Sequence, residues 1–362
     1  MKIVTITGQT ATGKTKLALE YAQKYDGELI NCDSRQIYKH LDIITGKDLT
    51  NKKFHVVKKN ANFSIGYYLL PVILESRHSR DDRILKDAIA SLQHDEQKQT
   101  KIWLYNIVDP KEYFSSFDYQ QCALWVIKKI LSEGKTPIIV GGTYFYLKHL
   151  LYDIETENIP PNWKLREELN YKPVTDLQKI YKRLSLQYVN KLKPLNRSDW
   201  NNRQRLIRKI EIETYYRHSG KSRHGRDASR IDSGVASSDT VRYLTSLPRM
   251  TLNRKLRLKS FQIEFVGLKF KEKDKLRKAI ETRVEERLKH GAIEEVQSLL
   301  KMGYKETDPG LKTIGYQQIL AHLKGSLTKD EAITQWINKE IQYAKRQYTF
   351  MKKDKNIKWV TK

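Results

Sequence analysis

Cysteine is nearly missing from this chain: Cys32 and Cys122 are the only two in 362 residues. So few thiols exclude a disulfide-stapled scaffold and a cysteine-built metal centre, and the expected compartment is a reducing cytoplasm. Long apolar runs are missing too. No stretch approaches the length of a membrane span, and the first residues pass directly into a strand with no signal-peptide h-region. Acid is scarce relative to base, with 42 Asp and Glu against 68 Lys and Arg, a formal net charge of +26. A field of that size attracts polyanions, nucleic acid first. No basic amphipathic segment lies beside an apolar anchor, which argues against a membrane surface. Apolar residues still make up 39% of the chain, enough for a substantial core. The length suits two domains or one large domain with insertions.

What the chain does have begins at its start. Gly8-Gln9-Thr10-Ala11-Thr12-Gly13-Lys14-Thr15 follows the β-branched run Ile3–Thr7 and leads into a helical pattern over Lys16–Ala22. Strand, glycine loop and helix in that order are the context of a phosphate-binding P-loop. The glycines let backbone N–H groups turn inward around phosphate oxygens, and the helix N-terminus adds partial positive charge. Lys14 brings a full charge to the outer phosphates, and the Thr15 hydroxyl is placed to hold Mg²⁺. The loop specifies a polyphosphate or pyrophosphate but not a reaction, because anchoring a donor and stabilising a leaving group use the same groups.

A second buried strand, Glu28–Cys32, ends at Asp33-Ser34-Arg35-Gln36-Ile37-Tyr38. Ligands in open α/β sheets sit beyond the carboxyl ends of strands, so Asp33 is expected beside the P-loop; the bland alternative is an N-cap. Residues 49–100 read as an insertion of uncertain order with a helix near Ile84–Gln93. A strand is expected over Trp103–Val108, stopped by Asp109-Pro110. A helix capped by Ser115 or Ser116 runs to about Ser132 and ends at Gly134, and Pro137–Val140 is a short buried strand leading to Gly141-Gly142-Thr143. From about Tyr152 to His218 the pattern is helical and contains the polar, basic run Asn201-Asn202-Arg203-Gln204-Arg205. Residues 219–260 read as a flexible basic loop. A strand over Gln262–Leu268 and an amphipathic helix over Lys273–His290, with Leu276, Ile280, Val284 and Leu288 on one stripe, open the last part. A helix ending near Gly303 follows, then Gly315-Tyr316 and a terminal helix that interleaves aromatics with cations over Tyr343–Lys353.

The predicted fold is α/β: a P-loop core with a parallel sheet flanked by helices, plus an all-helical insertion domain. The core occupies residues 1–151 and 261–362, and the helical domain 152–218. A P-loop hydrolase needs a second acid after an apolar strand to order Mg²⁺ and water. Here the strand Pro137–Val140 ends in Gly-Gly-Thr, and no Asp-Glu box occurs elsewhere. The available acid is Asp33, which faces an acceptor, so group transfer is favoured over hydrolysis. A small-molecule kinase and a transferase with a diphosphate leaving group both remain open at this point.

The motifs Gly8–Thr15, Asp33–Tyr38, Asp42 with Thr45 and Lys47, Ile107-Val108-Asp109-Pro110, Gly141-Gly142-Thr143, Gly315-Tyr316 and Ala344-Lys345-Arg346-Gln347 stand in the order seen in bacterial tRNA dimethylallyltransferases, and the chain resembles that family over residues 1–48, 102–220 and 262–352. The resemblance implies transfer of a dimethylallyl group from dimethylallyl diphosphate, with Mg²⁺, to the exocyclic amine of the adenine 3′-adjacent to the anticodon. It also implies a monomer whose helical domain clamps the tRNA anticodon stem-loop. By the same resemblance Asp33 is the general base, Thr143 lines the reaction channel and Arg166 is a channel-side arginine. The resemblance also implies tRNA contact by the segments that hold Ser34, Arg35, Gln36, Asn201, Asn202, Arg203, Gln204, Arg205, Gly315, Tyr316, Lys345, Arg346 and Gln347. The chain departs from the family pattern in the length of 49–100, in Asn106 and Asn202 where acids are usual, in Ile341 and Phe350, and in the basic 220–260 segment.

Overall fold

A computed structural model describes residues 2–49, 52–60, 63–71, 99–152, 159–186, 195–219 and 261–362. The helix expected near Ile84–Gln93 and the basic segment 220–260 lie outside them. The chain forms two compact units, Met1–Tyr152 with Leu252–Lys362, and Asp153–Thr251. The first begins β1 (Lys2–Gly8), α1 (Lys14–Tyr25), β2 (Gly27–Asn31), β3 (His55–Lys59), β4 (Ser64–Pro71), β5 (Gln99–Trp103), α2 (Ser116–Ser132), β6 (Thr136–Val140) and α3 (Tyr144–Leu151). The second contributes α4 (Trp163–Asn170), α5 (Val174–Leu186), α6 (Arg197–Trp200) and α7 (Arg203–Ser219). The chain then returns to the first unit with β7 (Gln262–Lys269), α8 (Lys273–Lys289), α9 (Ala292–Lys301), α10 (Tyr316–Leu323), α11 (Lys329–Met351) and β8 (Lys358–Thr361).

The strands of the first unit form one sheet in the order β3-β4-β5-β2-β6-β1-β7-β8. From β5 to β8 the neighbours are parallel, and β3 and β4 add an antiparallel edge. The central strands are short apolar runs because both sides are covered. Alternate side chains divide between two cores. Val4, Ile6, Leu29, Ile138 and Val140 pack with Ala18 and Ala22 of α1, while Ile3, Ile30 and Ile139 pack with α2, α3 and the C-terminal helices. Each fully buried Ile or Val contributes roughly 1.5–3 kcal/mol of transfer free energy. Helix α2 starts in a capping box: Ser115 Oγ accepts from Asp118 N at 3.3 Å, and Asp118 Oδ2 accepts from Ser115 N at 2.8 Å.

Two sequence expectations change here. Part of the 49–100 segment is ordinary sheet: the β-branched and aromatic residues of β3 and β4 pair with each other and then with β5. The strand expected over Trp103–Val108 instead ends at Trp103. Leu104 and Asn106 adopt φ of 67° and 54°, left-handed values that break a strand, and Asn31 Nδ2 donates to Leu104 O at 3.1 Å. The second unit has its own core of Leu169, Leu177, Tyr181, Leu206, Ile207 and Ile210, in which the apolar positions of α7 turn inward and its basic run stays outside.

Candidate active site

The carboxyl ends of β1, β2 and β6 lie side by side, with Ile6 level with Val140 and Asn31 level with Val140. The loops that follow these strands are therefore neighbours. Gly8 has φ 134°, and a Cβ there would lie 2.1 Å from the Leu268 carbonyl oxygen of β7, so a side chain cannot fit. The loop beyond it is held from inside. Thr12 Oγ1 donates to Gln9 O at 2.8 Å, Lys14 Nζ donates to the same oxygen at 2.7 Å, and Gln9 Oε1 accepts from Phe270 N at 2.9 Å. Gln347 of α11 straps the loop to the next strand end: its Oε1 accepts from Thr10 N and its Nε2 donates to Gly142 O, both at 3.0 Å.

Past β2, Asp33 forms a tight turn. Its amide donates to Asn31 Oδ1 at 3.0 Å, and its Oδ1 accepts from Arg35 N at 2.9 Å. Asp33 Oδ2 makes no hydrogen bond to a described residue. Gly141 has no room for a Cβ, which would lie 2.2 Å from Cys32 C. That close approach places Thr143 Oγ1 to accept from Ser34 N at 2.9 Å and to donate to Ser34 Oγ at 3.2 Å.

These loops open onto one cavity of about 1290 Å³ within the first unit. Thr10, Ala11, Gly13, Lys14 and Thr15 line it from the P-loop side, and Asp33, Arg35 and Gln36 from the β2 side. Residues 42–46 and Asp48 add a loop wall, and α8 adds Lys275, Lys278, Thr282, Arg283, Glu286 and Arg287. The loop wall is itself pinned. Glu295 of α9 accepts from the amides of Asp42 and Ile43 at 2.8 and 2.6 Å, and buried Lys47 donates to Tyr38 O at 2.6 Å and pairs with Asp42 at 2.8 Å. Burial lowers the Lys14 ammonium to about 8, with Asp33 opposing that shift and Arg283 adding to it. Cations outnumber acids on the lining, so the cavity favours an anion.

The remaining residues singled out from the sequence fall into two groups. Lys345 and Arg346 stand on the solvent side of α11, exposed. Several others have partners within the protein, some buried and some at its surface. Tyr316 is fully buried and its hydroxyl donates to Glu295 Oε1 at 2.6 Å; Gly315 is the residue that caps its helix. Gln347 is the buried strap described above. Arg35 pairs with Glu340 at 2.8 Å under the Tyr343 ring, and Gln36 Nε2 donates to the carbonyls of Thr45 and Gly46, each at 3.1 Å. In the second unit, Arg166 donates twice to buried Glu211, at 2.9 and 2.8 Å. Asn202 Oδ1 accepts from Arg205 N at 3.1 Å, a cap at the start of α7; Arg205 pairs with Asp199, Arg203 donates to Asn170 O, and Asn201 and Gln204 are exposed.

Sequence reasoning missed α8 as a wall of the site. Arg283 Nη1 donates to Thr10 Oγ1 of the P-loop at 2.6 Å, and Arg287 is buried. A signal was present: Arg287 falls on the same apolar stripe as Ile280 and Val284, where a charge needs a reason.

The family model described as IPP transferase matches residues 88–354. A protein of Thermoanaerobacter sp. (strain X514) named tRNA dimethylallyltransferase is 29% identical over 360 residues, which are 99% of this chain and 91% of that one. The tRNA dimethylallyltransferase 2 of Geotalea uraniireducens (strain Rf4) is 30% identical over 364 residues, with 99% and 92% covered. Among solved structures, the full-length tRNA isopentenylpyrophosphate transferase of Bacillus halodurans superposes with a TM-score of 0.55 at 24% identity, covering 99% of this chain and 89% of that one. A eukaryotic dimethylallyltransferase acting on tRNA superposes with a TM-score of 0.59 at 22% identity, covering 99% and 73%. The fold agrees with these structures, the sequence aligns end to end with the relatives, and the family model spans most of the chain: this protein belongs to the IPP transferase family.

Proposed function

We propose that the chain transfers a dimethylallyl group from dimethylallyl diphosphate to the exocyclic amine of the adenine 3′-adjacent to the anticodon in tRNA, releasing diphosphate. One observation carries the reading: Lys14, Thr15 and Asp33 line a single cavity, so a leaving-group cradle and a proton acceptor serve one reaction space. The aryl amine is a weak nucleophile, and the allylic carbon must gain cation character as its bond to the diphosphate oxygen breaks. Lys14 and the loop amides stabilise the charge that leaves with the diphosphate. The amine nitrogen forms the new bond to carbon, and its proton passes to the Asp33 carboxylate, whose Oδ1 is already fixed by Arg35 N. The Arg35 amide thus orients the acid and leaves Oδ2 for the acceptor.

Mg²⁺ fits this donor set, because it is commonly bound by one protein oxygen with phosphate oxygens and water; the exposed Thr15 hydroxyl would hold it and the ion would supply charge to the departing diphosphate. The anticodon loop suits the acceptor role, since its bases are partly unstacked and cheaper to extrude. The exposed cations of α11 and of the 201–205 run supply the sequence-independent attraction to its phosphates. Arg166 and Thr143 act as positioning residues in this reading. Thr143 sets the Ser34 amide beside Asp33, and Arg166 fixes Glu211 within the helical unit.

The test is incubation with Mg²⁺, labelled dimethylallyl diphosphate and a tRNA carrying the target adenine, followed by mass analysis of its nucleosides. A prenylated adenosine is expected. Asp33→Asn should lower turnover by about 10²–10⁴ with little change in tRNA affinity. Absence of label in tRNA across a range of salt would count decisively against the reading.

A further inference from the structure

Most of the buried cations around the cavity have partners. Arg35 meets Glu340, Lys47 meets Asp42, and Arg283 donates to Thr10. Arg287 does not. It is 7% exposed, it lines the cavity, and its guanidinium makes no hydrogen bond or ion pair with any described residue. Its surroundings aggravate the charge. A Cβ on Gly46 would lie 3.0 Å from Nη2 of Arg283 and 3.0 Å from Nη2 of Arg287. The two nitrogens are therefore at most about 6 Å apart, where like charges repel. Burial and Arg283 together pull Arg287 down to about 9. The acid that opposes this, Glu340, has its Oε1 bonded to Arg35. One buried carboxylate is thus shared among three arginines, and a buried guanidinium that hydrogen-bonds none of it is costly; two such groups side by side suit an anion.

We propose that Arg287, with Arg283, forms a second phosphoryl-binding subsite beside Gly46, separate from the P-loop amides. A tetrahedral oxyanion offers several acceptor oxygens to two planar donor forks, which is the geometry that guanidinium pairs recognise. The subsite begins where the P-loop ends, because Arg283 also donates to Thr10 Oγ1. Arg287 then lies one turn of α8 farther on, about 6 Å along the axis. The ligand class rests on the reaction proposed above, whose two substrates both carry phosphoryl groups: the donor in its diphosphate and the acceptor in its backbone.

The full-length chain, Arg287→Met and Arg287→Lys are titrated calorimetrically with inorganic pyrophosphate and, separately, with an anticodon stem-loop RNA; each protein is also melted without ligand. Arg287→Met should weaken at least one ligand tenfold or more, with Arg287→Lys between it and the parent. The ligand-free melting temperature should stay level or rise, because a buried guanidinium with no hydrogen-bonded partner has been removed. Loss of pyrophosphate affinity assigns the subsite to the donor, and loss confined to the RNA assigns it to the acceptor. Unchanged affinity for both ligands overturns the proposal, and a lowered melting temperature with both affinities intact makes Arg287 a core prop instead. If the parent transfers no prenyl group while pyrophosphate affinity still depends on Arg287, the proposed reaction fails and the subsite stands.

Discussion

The cavity has two walls of different construction. The P-loop wall is made by eight consecutive residues, and it offers backbone amides whose direction depends on the glycines rather than on most of the side chains. The α8 wall is made by side chains spaced along a helix, brought to the cavity by packing against α11 and the 42–49 loop. A contiguous, backbone-built site tolerates surrounding change, whereas a side-chain wall can gain or lose a charge with one substitution. The P-loop wall is thus the shared hardware of a reaction class, and the α8 wall is where one chain can differ from its relatives.

That comparison can be broken experimentally. The largest effect should come from the one P-loop side chain that carries charge: Lys14→Ala should cut turnover by about 10²–10³ while leaving RNA affinity near its parent value. Equal losses in both would show that the P-loop wall serves RNA binding too. Next is the strap between the walls' supports. Gln347→Ala leaves Thr10 N and Gly142 O without their buried partner, and should cost about 1–3 kcal/mol in denaturant unfolding. A loss of pyrophosphate affinity without loss of stability would make Gln347 a ligand contact instead. The smallest effect is one of pH. Burial lowers the Lys14 ammonium to about 8, so its positive charge is present below that value and lost above it. Binding of sulfate, whose own charge is constant over this range, should weaken by roughly tenfold between pH 7 and 9. A flat profile would assign anion binding to groups other than Lys14.

Legibility followed the same division. The placement of Gly8–Thr15, Asp33 and Gly141–Thr143 at neighbouring strand ends could be read because each is local: a strand end followed by a turn suffices to set its position. The bracing roles of Tyr316 and Gln347 were not legible, because a motif residue can serve packing as well as contact. Tyr316 holds Glu295, which pins the 42–44 amides, and Gln347 ties the P-loop to Gly142. Nothing in the local pattern separates a polar side chain that faces a ligand from one that braces the loop facing it. The strand ending at Trp103 was misjudged by the same logic. Leu104-Tyr105-Asn106 has the composition of a strand, yet Asn106 is spent on Asp42 and Tyr68, with Nδ2 donating at 3.2 and 2.8 Å.

By itself the chain determined the order of the central strands and the helices between them, a glycine loop suited to phosphate, an acid beyond the second strand and a net charge that attracts polyanions. These follow from short-range periodicity, from residues that suit one backbone geometry, and from net charge, all of which are additive along the sequence. Only the tertiary structure decided which cations face the cavity, which are hydrogen-bonded and which are not. That depends on distances between residues hundreds of positions apart, as between Arg35 and Glu340, or Gly46 and Arg287. Coulomb energy and burial act through space, and no property of a single segment carries them.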